Sequence, residues 1–389
     1  MRARGFTTSE HLDRMTMIKN SRPNMIVLPG DGIGPEVIRE AVRVVEWFAR
    51  HRGFDCDINE EQFGVQNYYK SGRFMRDGLM DDLMKAEVVL FGAMGGDAEH
   101  RAIPNEIRRT QGLLSVRQKM QVYANIRPVK AFAPLAKASP LRADLTEGVD
   151  MVVVRELTGG MYFGAPRGVE TLPDGEKRGV NTHVYTTPEV RRIGRVAFEL
   201  ARKRRGVVTS VDKANVMEAG MMWREEIETL HAREFSDVKL NHLYVDNAAM
   251  QIVRNPRQFD VLVTDNLFGD ILSDEASTIA GSLGMLPSAS LSDADEDGHR
   301  RGLYEPIHGS APDIAGQGKA NPIATILSFG MALELALDRK DDAKLLEDAV
   351  VAAVASGART PDIAESGCDI VSTTGMADAV IAQLDRMTR

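Results

Sequence analysis

The sequence predicts an α/β fold of open sheets, on three observations. Short apolar runs alternate with amphipathic helical stripes along the chain. Charged residues stand at the ends of several runs, where open sheets gather their ligands. The chain has 389 residues, which allows two domains or one large α/β unit, and its 43% hydrophobic content suffices for a sizeable core.

Met25-Ile26-Val27 opens the pattern as a short apolar run and leads into the turn LPGDGIGPEV, Leu28 to Val37. A dinucleotide-binding fingerprint would place G-x-G-x-x-G there. Counted from Gly30, the third glycine is replaced by Pro35, which suits a first helical turn; counted from Gly32 the frame fails as well. A tight strand-to-helix turn therefore competes with a ligand loop. From Pro35 to Arg50, Val37, Ile38, Ala41, Val42, Val45 and Phe48 form a helical stripe. Glu87 to Phe91 reads as a buried strand ending at Gly92, and Asp150 to Arg155 as another. Thr187 is expected to cap a helix with Pro188 at its first position, running to about Arg202. Gly206–Val211, Lys239–Val245 and Asp260–Thr264 read as strands, and Asn321-Pro322 as the cap of a long apolar helix toward Leu337. No internal repeat or low-complexity segment interrupts this order.

Composition excludes several function classes. A net charge of −8 gives no basic excess for nucleic acid. Cys56 and Cys368 are too few and too far apart for a disulfide framework or a metal knuckle, which favours a reducing, cytoplasmic setting. No apolar run approaches the roughly 18 residues of a membrane span. The first 24 residues are polar and mildly basic, lack the apolar middle of a secretory signal and carry Glu10 and Asp13, so a flexible tail, or a start at Met17 or Met25, is expected. Asp293 to Gly298 imitates a calcium loop, but Tyr304 stands where the twelfth-position glutamate belongs, so a charged surface loop is expected.

The residues with chemistry lie elsewhere. Asp270 and Asp274 are four apart on a helical stretch and share a face. Such a pair needs either Arg or Lys partners or a divalent cation, and carboxylates alone select a hard ion, Mg²⁺ or Mn²⁺. Asp246 sits at a strand end ahead of a helical pattern. Arg117 lies on a helical stretch, Arg127 is expected just after a strand and Arg155 at the end of one; together they suit an anion with two or three charges. Tyr162 follows the Gly159-Gly160 turn, and Lys213 ends a strand, where a nearby metal or cation would suit it to act as base or proton shuttle. Leu303 to Pro322 is the longest loop-like stretch and holds His308 and Asp313, an acid able to accept ribose hydroxyls while repelling a 2′-phosphate.

LPGDGIGPE, GLLSVRQ, ANIRP, RELTGGMYFG, SVDKANV, YVDNAAM, NLFGDILSDEAS and GSAPDIAGQGKANP occur in that order from about Met25 onward. In this series the chain resembles the β-decarboxylating dehydrogenases, the family of isocitrate, isopropylmalate, homoisocitrate and tartrate dehydrogenases, and most closely the isopropylmalate branch. The resemblance implies a two-domain fold of open sheets that is not a Rossmann fold. It implies a flexible tail at 1–24, a cofactor domain of 25–124 plus 281–389, and a dimerisation and metal/substrate domain at 125–280. It implies NAD-dependent oxidative decarboxylation of (2R,3S)-3-isopropylmalate to 4-methyl-2-oxopentanoate in leucine synthesis. Arg117, Arg127 and Arg155 would clamp the substrate's carboxylates, and Leu113, Leu114, Thr110 and Asp246 would complete the substrate pocket. Asp246, Asp270 and Asp274 would hold Mg²⁺ or Mn²⁺. Lys213 would take the hydroxyl proton and Tyr162 would protonate the enolate. Ile33, Glu305, His308, Gly309, Ser310, Ala311, Asp313, Ile314 and Asn321 would line the NAD site. Lys213 and Asp246 would reach in from a second subunit, so a homodimer is implied.

The chain departs from the family at Arg108-Arg109-Thr110-Gln111-Gly112, where isopropylmalate enzymes usually carry an Arg-Pro-Glu segment. The lost acid and added arginine leave a second substrate open: tartrate, D-malate or a charged malate analogue. A non-catalytic regulatory subunit is a third reading, opposed by the presence of every chemical residue named above.

Overall fold

In the computed structural model, residues 22–136, 138–294 and 300–389 are described. Ten strands form one sheet: β1 (Asn24–Gly30), β2 (Asp57–Glu60), β3 (Val88–Ala93), β4 (Ala124–Lys130), β5 (Asp150–Glu156), and, after the separate pair β6 (Gly168–Thr171) and β7 (Lys177–Val180), β8 (Val207–Asp212), β9 (Lys239–Tyr244), β10 (Val261–Thr264), β11 (Pro287–Ala294) and β12 (Arg300–Pro306). Their order is β2-β1-β3-β12-β11-β4-β5-β10-β8-β9. The flanks are parallel, β1 with β2 and β3 on one side and β10 with β5 and β8 on the other. The middle is antiparallel: β11 pairs with both β12 and β4, and β4 with β5.

The βα alternation predicted the flanks but not this centre. β11 reads Pro-Ser-Ala-Ser-Leu-Ser, and Ser288, Ser290 and Ser292 are fully buried there. The hydroxyls lower the apolar signal of a strand whose backbone is nonetheless paired on both sides, and Ser288 satisfies its own by donating to the Glu305 carbonyl at 2.8 Å. Leu303, expected in a loop, is a buried residue of β12. The calcium-like run falls at the β11–β12 connection; residues 295–299 lie outside the described residues, and Asp293 accepts from the Tyr123 hydroxyl at 2.6 Å. The expected tail at 1–24 lies outside them up to residue 21.

Helices cover both faces of the sheet. Gly34–Arg52 and Ile323–Leu335 pack together in the largest core cluster, with the Phe48 and Phe329 rings 5.9 Å apart. Ile323–Leu335 is buried on nearly all sides, consistent with its unbroken apolar character. The Thr187–Arg202 helix is capped one residue earlier than expected, by Thr186: Glu189 stands three residues on, and its side chain accepts from the Thr186 backbone N–H at 2.8 Å. Among the described residues no helix is long and apolar enough to cross a membrane. The hairpin β6–β7 stands apart from the sheet and is exposed along its length.

The glycines of the opening turn serve close backbone approach. Gly30 and Gly32 have φ of +76° and +58°, and a Cβ on them would fall 1.8 Å from the Ala93 carbonyl oxygen and 2.0 Å from that of Ser310. Between them the Asp31 carboxylate accepts from the backbone N–H groups of Val65, Gln66 and Gly95. The turn thus ties β1, β3 and the loop after β12 together.

Candidate active site

The ends of β3, β5 and β12, with the helices Leu113–Met120 and Asn266–Ala280, surround a cleft of about 720 Å³ of open space. Arg117, Arg127, Arg155, Tyr162 and Asp270 line it together with Leu113, Leu114, Glu305, His308 and Gly309. Each guanidinium is held by different partners. Arg117 donates twice to Glu305 Oε1, at 3.2 and 2.6 Å. Arg127 lies within β4 rather than after a strand; it is buried, and donates to Asn125 Oδ1 and Ser273 Oγ at 2.6 Å each. Arg155 is 2% exposed and donates to Asp270 Oδ1 at 2.5 Å and twice to Asn266 Oδ1.

Burial and the neighbouring Arg155 push Arg127 down to about 10, and burial also lowers Arg155. Both still carry their charge at neutral pH. Burial pushes Asp270 up, but Arg155, Arg127 and the Tyr162 hydroxyl outweigh it and hold the carboxyl below its ordinary value. Tyr162 donates to Asp270 Oδ2 at 2.9 Å; burial and that carboxylate push its phenol up to about 12, so it holds its proton at neutral pH. Asp274, one turn beyond, lies 3.6 Å from Arg127 and is raised, chiefly by burial. Three guanidiniums face three carboxylates, Glu305, Asp270 and Asp274, so the cleft is balanced in charge, and a divalent ion on the aspartates would add the positive charge a polyanion needs.

Lys213 and Asp246 are not part of this cleft. Lys213 follows β8, Asp246 opens the helix Val245–Arg254, and they pair with each other at 2.6 Å. Lys213 holds the Asp246 carboxyl below its usual range. Among the described residues, no three acid, His or Cys groups come close enough to hold a metal ion. Asp270 and Asp274 share one helix face, as their spacing requires, whereas Asp246 stands on another element. The donor chemistry of all three still suits a hard divalent ion.

The loop after β12 closes on the opening turn. Ile33, Val37 and Ala320 are buried together, with Ala311, Ile314 and Ala315 packed against them. Ile33 donates its backbone N–H to the Ser310 carbonyl at 2.8 Å, and Glu36 accepts from the backbone of Gly316 and Gly318. Asp313 is exposed. Asn321 is buried just ahead of the next helix, whose cap is Pro322, and its Oδ1 accepts from Ile323 N at 3.0 Å. His308 Nε2 is buried without a hydrogen-bond partner beside the cleft, a polar atom suited to a bound group. An apolar wall, exposed backbone and this orphaned nitrogen fit a dinucleotide.

Comparison with known proteins shows the family of the chain. The family model for isocitrate/isopropylmalate dehydrogenase matches residues 24–380. The chain belongs to the isocitrate/isopropylmalate dehydrogenase family. It is 54% identical over 361 residues to the "3-isopropylmalate dehydrogenase 1" of Bradyrhizobium diazoefficiens, covering 93% of this chain and 95% of that protein. It is 49% identical over 368 residues to the "3-isopropylmalate dehydrogenase" of Pelagibacter ubique, covering 95% and 100%. A solved isocitrate dehydrogenase from Methylococcus capsulatus is similar in fold, with a TM-score of 0.80 and 32% identity over 93% of this chain and 99% of that one. Isocitrate/isopropylmalate dehydrogenases are decarboxylating enzymes that act on a hydroxy acid and depend on NAD and Mg²⁺ or Mn²⁺, and this chain is one of them.

Within this family member, sequence reasoning missed the residues that aim the arginines. Asn125 and Ser273 hold Arg127, and Asn266 holds Arg155. Asn125 lies two residues from Arg127 on the same strand, so it shares its face; that spacing was the available signal.

Proposed function

We propose that the chain oxidises and decarboxylates (2R,3S)-3-isopropylmalate with NAD in leucine synthesis, as a cytoplasmic homodimer. One observation carries this reading: three guanidiniums, Tyr162 and Asp270 converge on a cleft whose apolar lining includes Leu113 and Leu114. The arginines bind and orient the two carboxylates. Leu113 and Leu114 receive the isopropyl group. Lys213, brought by the second subunit, takes the proton of the C2 hydroxyl. After CO₂ leaves, the Tyr162 hydroxyl delivers its proton to C3, a role its raised pKa suits. Asp270 and Asp274, with Asp246 of the second subunit, would hold the metal, and Ile33, Glu305 and the residues from His308 to Asn321 the dinucleotide. When bound, NAD supplies the hydride acceptor, and the divalent ion supplies Lewis acidity toward the substrate oxygens.

The second substrate rests on the Arg109-Thr110 departure. Arg109 is exposed, and the Thr110 hydroxyl donates back to the Glu106 carbonyl at 2.8 Å, so neither lines the cleft. This favours the apolar substituent. The proposed domains would meet where β4 pairs with β11, Ala124–Ile126 with Ala289–Leu291, and the 280/281 boundary would fall at the end of the helix Asn266–Ala280.

The test is NAD reduction by the purified chain with Mg²⁺ or Mn²⁺ across isopropylmalate, D-malate, tartrate and isocitrate. Isopropylmalate should give the highest kcat/KM, and chelation should abolish turnover until metal is restored. A tenfold or larger preference for another malate replaces the proposed substrate.

A further inference from the structure

We infer that Asn266 is a positioning residue that couples the substrate clamp to the proton donor; this rests on the function proposed above. Asn266 is completely buried at the start of the helix Asn266–Ala280. It is not that helix's cap: the Asp265 side chain accepts from Phe268 N at 2.7 Å and fills that role. The Asn266 amide is instead spent across the site. Its Oδ1 accepts from Arg155 Nε at 3.1 Å and Nη2 at 2.7 Å. Its Nδ2 donates to the carbonyls of Leu157 and Gly159, both at 3.0 Å.

These partners fix the orientation of the amide. A guanidinium can only donate and a carbonyl can only accept, so the reversed amide would lose all four bonds. The two carbonyls belong to the turn between β5 and the Gly160–Tyr162 helical turn, which carries the phenol. The same turn is gripped from its N–H side by buried Glu156, which accepts from Gly159 N at 2.7 Å. Arg155, Asp270 and Tyr162 thus form a closed circuit: Arg155 to Asp270, Asp270 to the Tyr162 hydroxyl, and the Tyr162 turn back to Arg155 through Asn266. Among the described residues, Asn266 is the one side chain that joins the guanidinium to the backbone before the phenol. The guanidinium keeps its Asp270 bond without it, so the circuit would open on the Tyr162 side.

Asn266→Asp separates the two functions. The carboxylate still accepts from Arg155 but cannot donate to Leu157 and Gly159. Expected is a fall in kcat for isopropylmalate of about tenfold with KM within about twofold of wild type, since misplacement of a proton donor by a fraction of an ångström costs turnover rather than binding. The deciding measurement is a double-mutant cycle with Tyr162→Phe. If Asn266 acts through Tyr162, Asn266→Asp should lower the rate of the Tyr162→Phe enzyme by less than about twofold. Equal losses in both backgrounds, or a loss expressed in KM, overturn the inference. Asn266→Ser, smaller and uncharged, takes the same place in the cycle should Asn266→Asp not fold. Absence of isopropylmalate turnover by the wild-type chain would instead reject the underlying function, so the two failures are distinguishable.

Discussion

The arginine cleft and the Lys213–Asp246 pair are built on opposite plans. In the cleft, Arg127 and Arg155 are 7% and 2% exposed, and buried side chains aim each guanidinium. Lys213 and Asp246 are 26% and 65% exposed and pair with each other. A buried guanidinium must be positioned at folding, because leaving it unpaired is too costly. An exposed ion pair is worth little and exchanges partners readily. The difference teaches that the cleft's arginines are aimed within one chain, while the proposed base and third acid lie apart from them, as the proposed dimer requires.

The largest expected effect tests that division directly. Lys213→Ala and Asp270→Asn should each lower turnover by about 10³-fold or more. Co-expressed, they should recover about a quarter of wild-type activity, since half of randomly paired dimers contain one intact site. No recovery would place both halves in one chain and break the comparison.

The next effect concerns stability. Asp270→Asn leaves the buried Arg155 without its carboxylate and should destabilise the fold by about 3 kcal/mol in urea, whereas Asp246→Asn should leave the urea midpoint unchanged. Equal costs would remove the contrast in burial. Gly32→Ala should destabilise by about 2 kcal/mol and raise KM for NAD while leaving KM for the malate unchanged, because positive φ and the Ser310 carbonyl both oppose a side chain.

A smaller effect comes from Asp265, which caps the cleft helix and lies 3.3 Å from His183 Nε2. Burial raises its pKa from 3.8 to about 7. The folded chain therefore keeps a proton that the unfolded chain releases, so this group's contribution falls as pH rises through that window and its penalty is full above it. Asp265→Asn retains an oxygen for the cap. It should match wild type near pH 4 and exceed it by about 1–2 kcal/mol at pH 8, read from urea midpoints. The smallest effect is Arg109→Ala, which should change kcat/KM for isopropylmalate by less than about twofold; a larger change would bring that arginine into the substrate pocket.

Much of the cleft was legible in the sequence because its parts obey local rules. The spacing of Asp270 and Asp274 placed both on one helix face, and Arg155 stands one residue short of the end of its strand, which runs to Glu156. Arg127 was misread as following a strand, since an interior guanidinium contradicts the apolar pattern of a buried strand and is tolerated only through Asn125 and Ser273. Ser273 is far from Arg127 in sequence, and no periodicity signals such a partner. Asn266 was invisible for a related reason: a polar residue at a helix start reads as a cap, and here the neighbouring Asp265 is the cap. The antiparallel centre was missed because serines lined it.

The contact of Gly32 with Ser310 leaves no clearance between two backbones. A methyl group there would act as a shim, lifting the loop from the turn without altering one ionisable group. The spacing of the proposed cofactor wall is thus set by the absence of an atom, at a position with no chemistry of its own.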